Sequence, residues 1–490
     1  MRYRGDRPAR LIDPGTDVAG VNRILSREEC ERIVQRVLRF AKGGGETRVR
    51  ILSWWNGELR WARNRVSLAS DRRDIRMEVW RTVGVGRGNV STNQLDDASL
   101  EATVRAAERA AVFSPQILRS PPGMPAAPHA ERPATQIWSD STYAVTPEAR
   151  REVGRALVAP AEAKGMLSAG YLEMRAGSLI SVSSERLAAS DAPWDIPYAR
   201  WTQAQCSMTV RDARGTGSGW AGLSGHDWAK IDSATLAARA LEKCEASRNP
   251  VALEPGRYTV ILEPQAVAEL LEVVARSMYR EIPEGDGSGP WALAQDDALK
   301  LWRTKLGIKV IDERITISHD PADPELGILP QPWMQPVTWF EKGVLTSLVY
   351  QRDYALEKLN VNAALRGMTG YRMTGGTTSI DEMIATTRRG LLVTRFSNVH
   401  TLDGDTLLAT GLTRDGLWLI ENGKISKAVK NFRFTESPLF VLNAIEQLGV
   451  PVPVFRPVKN PYEQDNPLTP AIVPPLKARD FSFTSTIDAI

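Results

Sequence analysis

The sequence predicts an α+β protein in which a duplicated helix-hairpin-strand-helix N-terminal domain precedes a mainly antiparallel β, barrel-like C-terminal domain. A similar order of element patterns occurs twice before residue 250, and such internal repeats normally reflect repeated structural units. After residue 257, many short strand patterns follow one another with hairpin signals between them, which is typical of a closed antiparallel sheet.

The first predicted copy covers about residues 26–113. Ser26 and Glu29 have capping-box spacing, so a helix should start there and end at the three glycines 43–45. Strands are expected at 49–53 and 58–62, joined by an Asn56-Gly57 turn, and at 75–85. A second helix is expected at about 98–111.

The second predicted copy covers about residues 146–250. Thr146 should cap a helix that has Pro147 at its first position. An alternating stretch at 168–184, a strand near 207–211 and a helix at 233–246 follow. DDASLEATVRAAERA and IDSATLAARALEKC occupy equivalent places, which supports a duplication. Residues 1–25 form an extension, and the proline-rich stretch 114–140 is predicted to link the copies.

The C-terminal domain is predicted at 257–449, beginning with the buried-strand pattern YTVIL and a helix at 264–279. Asn422-Gly423 predicts a type I′ hairpin, because this pair tolerates positive φ angles. Further signals predict a turn at 341–343, a helix from Ser379 to Gly390, strands at 392–399 and 406–412, a helix at 437–449, and a proline-rich tail at 450–490 that ends in a strand.

The composition is that of a globular protein of two or three domains: 490 residues, 42% hydrophobic and 24% charged, with a net charge of +4. Cys30, Cys206 and Cys244 are odd in number and widely spaced, which argues against a disulfide framework and favours a reducing compartment. With no apolar run near the ~18 residues of a membrane helix and no secretory signal pattern, a cytoplasmic location is expected.

Three segments carry a family resemblance: GLLVTRF (390–396), GLTRDGLWLIENGKISKAVKNFRFTES (411–437) and PPLKARDFSFTS (474–485). Together they resemble the C-terminal domain of the TldD/PmbA family, and the resemblance extends over most of the chain from about residue 26. The family contains zinc peptidases and their metal-free partner subunits.

In the zinc-binding members, the helix after the YTVIL-like strand carries His-Glu-x-x-x-His. Here that helix reads EPQAVAELLEVVARSMY, which aligns Glu272, Val273 and Ser277 with the three motif positions. No imidazole is available there, and valine cannot accept a proton from water. Catalytic members also use a cysteine from the C-terminal tail, whereas every cysteine here precedes residue 250. Glu269 and Glu272 are expected on a solvated helix face.

The resemblance therefore implies a non-catalytic TldE/PmbA-like subunit with no metal of its own, paired as a heterodimer with a TldD-like zinc-bearing homologue. Such complexes act on unfolded or leader peptides. The expected mode of binding is strand addition along 394–399 and 413–418. The predicted peptide-binding residues are Thr394, Ser397, Val399, Thr413 and Trp418.

Other functions remain open. A hydrolase in its own right would need a site such as Gly222-Leu223-Ser224-Gly225-His226, which approaches a nucleophile elbow. GVGRG and GTGSG contain phosphate-loop spacings but are better explained as sharp turns. His319 with Asp320, Asp323 and Glu325 is the best residual ion site, although the two Asp-Pro pairs favour turns.

No nucleic-acid partner is expected. The alternative, a nucleic-acid-binding role, would use the arginines between residues 48 and 87, which alternate with Trp54, Trp55, Trp61 and Trp80. The simpler interpretation is a sheet with one buried aromatic face. A homodimer is a further alternative.

Overall fold

The computed structural model describes residues 24–84, 86–113, 137–184, 187, 198–296, 301–327, 335–365, 367–368, 370–456 and 470–487. The structure is a mixed α+β fold with mainly antiparallel sheets. Within this described part, no helix is long and apolar enough to cross a membrane. Most of the predicted extension and linker lies outside the described residues, and so do His129 and residues 457–469 and 488–490 of the predicted tail.

The N-terminal half contains two runs of helix, three strands and helix. Its elements are α1 (Arg27–Phe40), β1 (Thr47–Ala62), β2 (Arg65–Val83), β3 (Gly86–Thr92), α2 (Asp97–Phe113), the short α3 (Asp140–Tyr143), α4 (Pro147–Ala163), β4 (Leu167–Ser183), β5 (Tyr198–Arg211), β6 (Ser218–Gly225), a 3-10 turn at Trp228–Lys230 and α5 (Ser233–Ala246).

The six strands form one antiparallel sheet in the order β3-β2-β1-β4-β5-β6, so the two copies meet at the β1–β4 pair in its centre. Helices cover one face. Val49 and Ile51 belong to the same core as α1 and α2, and Leu59 and Trp61 belong to the core with α4. Burial of these apolar side chains stabilises the helix layer on the sheet.

One local prediction for this half was wrong. Asn56 and Gly57 do not turn the chain, because both lie within β1, where Asn56 pairs with Arg72 on one side and Arg175 on the other. The turn occurs instead at Arg63 and Asn64, whose φ angles are 53° and 63°. The GTGSG segment leads into β6 before the chain reaches α5.

The C-terminal half is richer in strands. Its elements are β7 (Gly256–Leu262), α6 (Pro264–Ser277), α7 (Glu281–Asp286), β8 (Ala292–Asp296), β9 (Leu301–Thr304), β10 (Ile317–His319), β11 (Val337–Glu341), β12 (Val344–Leu345), α8 (Arg352–Tyr354), a π-helical turn at Ala355–Leu359, β13 (Tyr371–Met373), α9 (Ile380–Ala385), β14 (Arg389–Asp403), β15 (Leu408–Glu421), β16 (Lys424–Ala428), β17 (Phe432–Glu436), α10 (Pro438–Asn443), β18 (Ile445–Leu448), β19 (Val452–Pro453), β20 (Ala471–Val473) and β21 (Leu476–Thr486).

Five strands close into a barrel in the order β14-β7-β21-β17-β15, with β15 pairing again with β14. The rings of Phe396, Phe434 and Phe481 pack together with centroids 4.6 to 5.7 Å apart. A second sheet has the order β12-β11-β10-β13-β20-β19. The predicted barrel-like domain is confirmed, and the limits predicted for the individual domains stay predictions.

The Asn-Gly hairpin forms as predicted, with φ angles of 50° at Asn422 and 78° at Gly423. Two helix ends were wrong. α9 ends at Ala385, because Gly390 already pairs with β7 and β15. α10 ends at Asn443, because Ile445–Leu448 forms β18 and pairs with β21.

Candidate functional site

The helix with the degenerate metal motif, α6, lies at the junction between the barrel and the N-terminal sheet. Pro264 occupies its first turn, a position where proline costs no hydrogen bond. Gln265 accepts a hydrogen bond from the backbone N–H of Phe455 at 3.1 Å, and Arg456 binds Glu272. The backbone N–H of Arg456 in turn donates to Ser224 on β6 at 3.0 Å. The segment after β19 therefore joins α6 to the N-terminal sheet.

The three motif positions have different surroundings. The carboxylate of Glu272 binds the guanidiniums of Arg456 and, at 3.3 Å, Arg276. Val273 is 1% exposed and packs in the core. The hydroxyl of Ser277 donates to the carbonyl of Val274 at 2.8 Å. No described contact brings the three side chains together around one point, as the ligands of a metal ion would be.

Glu269 and Glu272 do not form a solvated face, so that expectation was wrong. Each is only 17% exposed. One oxygen of Glu269 accepts from the backbone N–H of Phe396, and the other accepts from Gln265 at 3.0 Å. Burial raises the pKa of Glu269 to about 7, although Arg395, 3.7 Å away, opposes this shift.

Arg395 on β14 connects this helix with both halves of the chain. Its guanidinium lies 4.5 Å from the centroid of Trp220 on β6, a cation–π geometry. It also lies 3.8 Å from a carboxylate oxygen of Asp415 on β15. Ser218 on β6 donates a hydrogen bond to the other oxygen of Asp415 at 2.7 Å. The junction is therefore held by a chain of charged and polar side chains.

The donor set at the motif does not fit zinc. Zn²⁺ prefers imidazole, thiolate and carboxylate ligands. Here one motif side chain is aliphatic, one is a hydroxyl bound to a carbonyl, and the single carboxylate is bound by guanidiniums that repel a dication. The three cysteines are buried, and burial raises the pKa of the thiols of Cys30 and Cys206 to about 12 and of Cys244 to about 11. Among the residues the structure describes, no group of three His, Cys, Asp or Glu side chains could hold a metal ion.

The remaining catalytic and ion-site candidates have structural roles. Ser224 lies within β6 and bonds the backbone at Val454 and Arg456, so the residues 222–226 do not form a nucleophile elbow. His319 is buried and contacts the carbonyl of Gly370 at 2.9 Å. Asp320 and Asp323 accept from backbone amides two residues on, which is the turn geometry that the Asp-Pro pairs predict.

The predicted peptide-binding residues lie on two adjacent strands of the barrel. The side chains of Thr394, Thr413 and Trp418 are buried; Thr413 accepts from the backbone of Phe432, and Trp418 donates to the carbonyl of Ala246. Ser397 and Val399 are half-buried, and the Ser397 hydroxyl has no hydrogen-bond partner in the described part of the chain. Trp418 pairs with Leu392 on one side and with Ala428 on the other, so its backbone is already held within the barrel sheet. The assignment stays a prediction.

A pocket of about 330 Å³ lies beside the segment 413–418, between the barrel and the N-terminal sheet. Asp415 and Gly416 line it, and both are skipped in the pairing of β15 with β14, forming a bulge with φ angles of 57° and 129°. Thr216, Ser247 and Asn249 line the opposite side.

The sequence reasoning missed Arg395, Asp415 and Arg456. Arg395 and Asp415 interrupt the apolar strand patterns GLLVTRF and GLTRDGLWL, and a charge within a buried strand is a signal for an internal ion pair. Arg456 follows a proline-rich stretch whose sequence contains no comparable signal.

Sequence comparison agrees with this architecture. The profile of the PmbA/TldA metallopeptidase C-terminal domain matches residues 255–485, which include the barrel and α6. This C-terminal part of the chain belongs to the PmbA/TldD family. No curated protein matches the chain in sequence.

Solved structures with a similar fold cover both halves of the chain. TldE from Thermococcus kodakarensis is 15% identical with a TM-score of 0.72, covering 93% of this chain and 100% of its own. A protein described as a modulator of a DNA gyrase from Thermotoga maritima has 15% identity, a TM-score of 0.73 and the same coverage. A similarly described protein from Bacteroides thetaiotaomicron has 17% identity and a TM-score of 0.72, covering 94% and 99%. At these identities the likeness shows the fold.

Proposed function

We propose that this chain is a metal-free, TldE/PmbA-like subunit that pairs with a zinc-bearing TldD-like homologue and completes a cytoplasmic peptidase for unfolded or leader peptides. In this proposal the chain contributes peptide binding, and the partner contributes the zinc ion and the hydrolytic chemistry. The family membership supports it. The name of the TldE structure from T. kodakarensis is consistent with it.

The observation that carries the proposal is the ion pair between Arg456 and Glu272 at the first motif position. At the position where the zinc-binding members have a metal ligand, this chain has a carboxylate that binds a guanidinium of the same chain. Val273 removes the general base at the second position, and its burial leaves no room for a solvated carboxylate there. The helix is thus adapted to stabilise the junction between the two halves.

For peptide binding, the bulge at Asp415 and Gly416 offers main-chain groups that the barrel ladder leaves unpaired beside a pocket. Strand addition uses main-chain hydrogen bonds and is tolerant of sequence, as a peptidase for unfolded substrates requires. The segments 394–399 and 413–418 remain our proposed peptide-contacting strands.

The test is native mass spectrometry of the chain co-expressed with the His-Glu-x-x-x-His homologue of the same organism, followed by peptidase assays of each chain and of the complex. We expect a one-to-one complex in which the homologue contains zinc. Only the complex, and neither chain by itself, should degrade an unfolded peptide. Stoichiometric zinc in this chain by itself, or peptidase turnover by it alone, would overturn the proposal.

A further inference from the structure

The strand β2 has a long edge that no described strand covers. β2 pairs with β1 from Arg65 to Arg81, whereas β3 covers its other side only from Met77 to Val83. The edge from Arg65 to Arg76 therefore has no strand partner in the described residues. Unpaired main-chain groups along a strand edge are a template for another strand.

The equivalent edge in the second copy is covered along most of its length. β6 covers β5 from Ala204 to Arg211, and beyond it Ile137 bridges to Trp201. The backbone N–H of Thr202 donates to the carbonyl of Ile137 at 2.9 Å. Among the described residues, the chain therefore covers most of one of the two related edges and leaves the other open.

The open edge is apolar and basic. Val66 is 58% exposed and Leu68 is 42% exposed, side by side on this edge. Arg63 and Arg65 at the hairpin tip are exposed and have no ion-pair partner among the described residues. The carboxylate of Asp71 is bound inside the chain by Arg150 and Trp55. Arg72 pairs with Asp74 and Arg76 pairs with Glu78, so the positive charge that is left for a partner lies at Arg63 and Arg65.

The motif of alternating arginine and tryptophan is explained by this arrangement. Trp54, Trp55 and Trp61 are each at most 7% exposed, so they cannot stack on nucleic-acid bases. Trp80 is half-buried and lies on the part of β2 that β3 covers, where it pairs with Asn89. The part of this motif that lies at the surface is the edge of β2 with its arginines. This chemistry matches a strand with carboxylates better than it matches single-stranded nucleic acid.

We infer that the edge of β2 from Arg65 to Arg76 pairs with an acidic strand of the partner subunit, extending the N-terminal sheet across the interface. The inference rests on the proposed function, because it names the surface by which that partner is bound. A second copy of this chain would bring the same arginines against one another, so the charge favours a different chain.

The test uses the full chain with a photo-crosslinking residue at Leu68 and, as matched control, at Leu402, which is 55% exposed on the C-terminal half. The probe is the co-expressed His-Glu-x-x-x-His homologue. We expect crosslinks from position 68 alone, to a segment of the homologue with more Asp and Glu than Lys and Arg. Crosslinks to a second copy of the chain, to nucleic acid, or to a basic segment would overturn the inference.

A charge-reversal pair separates the edge from general charge effects. R63E/R65E should weaken the complex by roughly tenfold or more at low salt, with the difference shrinking as salt is added. R151E/R155E, which makes the same change in charge on the exposed face of α4, should leave it unchanged. If both variants bind the homologue with equal affinity, the edge assignment is overturned while the subunit proposal stands. If the wild-type chain forms no complex with the homologue, the subunit proposal itself is overturned. Unchanged melting temperatures of both variants establish that the fold is intact.

Discussion

The guanidinium of Arg456 binds the carboxylate of Glu272, and the backbone of Arg456 binds Ser224 on the N-terminal sheet. This residue therefore joins α6 of the barrel domain to the other half of the chain through a charged and a neutral contact. Both side chains of the ion pair are largely buried, so the pair resists screening by salt.

Removing Arg456 should destabilise the protein. R456A leaves Glu272 paired with Arg276, so we expect a loss at the lower end of that for a broken buried ion pair, about 3 kcal/mol in the free energy of unfolding, measured by urea denaturation. The double variant R456A/E272A should lose less than the sum of the single variants, because neither charge is then stranded. Strict additivity would show that the two side chains are not coupled.

Zinc should not bind at the degenerate motif. After dialysis against a weak chelator, the isolated chain is expected to contain far less than one zinc ion per molecule by elemental mass spectrometry. The physical reason is the guanidinium at Glu272 and the aliphatic side chain at Val273. The zinc-bearing homologue treated in the same way is the control. One retained zinc ion per chain would contradict this reading of the site.

The stability of the chain should depend on pH through Glu269. Its pKa is raised from 4.5 to about 7 in the folded state, so the folded chain holds a proton that the unfolded chain has released between these values. Stability contributed by this group is therefore lost as the pH rises from about 4.5 to 7, by up to about 3 kcal/mol. Comparison of urea midpoints of the wild type and E269Q across this range measures the effect, because glutamine does not titrate. Parallel pH profiles would contradict the prediction.

The hydrogen bond from Ser218 to Asp415 should stabilise the junction between the two halves. S218A leaves one oxygen of a carboxylate that is 3% exposed without its donor, and we expect a loss of about 1 to 3 kcal/mol in unfolding free energy. S67A, which changes an exposed serine on β2, is the matched control and should be neutral. Equal stability of the two variants would argue that this contact contributes nothing.

Filling the pocket beside the β15 bulge should impair peptide binding. T216W places a large ring at the pocket wall, and we expect at least a tenfold weaker binding of a fluorescein-labelled unstructured peptide, measured by anisotropy with the reconstituted complex. T216V removes the same hydroxyl without adding bulk and serves as control. If both variants bind as the wild type does, the peptide contacts another part of the chain.

Several features could be predicted from local sequence because their physical causes are local. The capping box at Ser26 and the Asn422-Gly423 turn formed as expected, and the helix predicted to start at Ser379 begins there with a capping box. The Asn56-Gly57 pair shows the limit of such reasoning. The same dipeptide remains extended in β1 because strands on both sides hold its backbone, and no local signal reveals those neighbours.

The fold class, the resemblance of the C-terminal segments to a family and the absence of histidine from the motif positions of α6 could all be recognised in the sequence, because they follow from residue identity and from periodicity along the chain. The remaining features of the site depend on how distant segments pack. The tertiary structure brought Arg395 and Arg456 to Glu269 and Glu272, and it placed the carboxylates at a buried junction where the sequence had suggested a solvated helix face. The burial and the charge pairing of these two glutamates depend on Phe396 and Arg456, which lie more than one hundred residues away along the chain. Local sequence therefore does not reveal them.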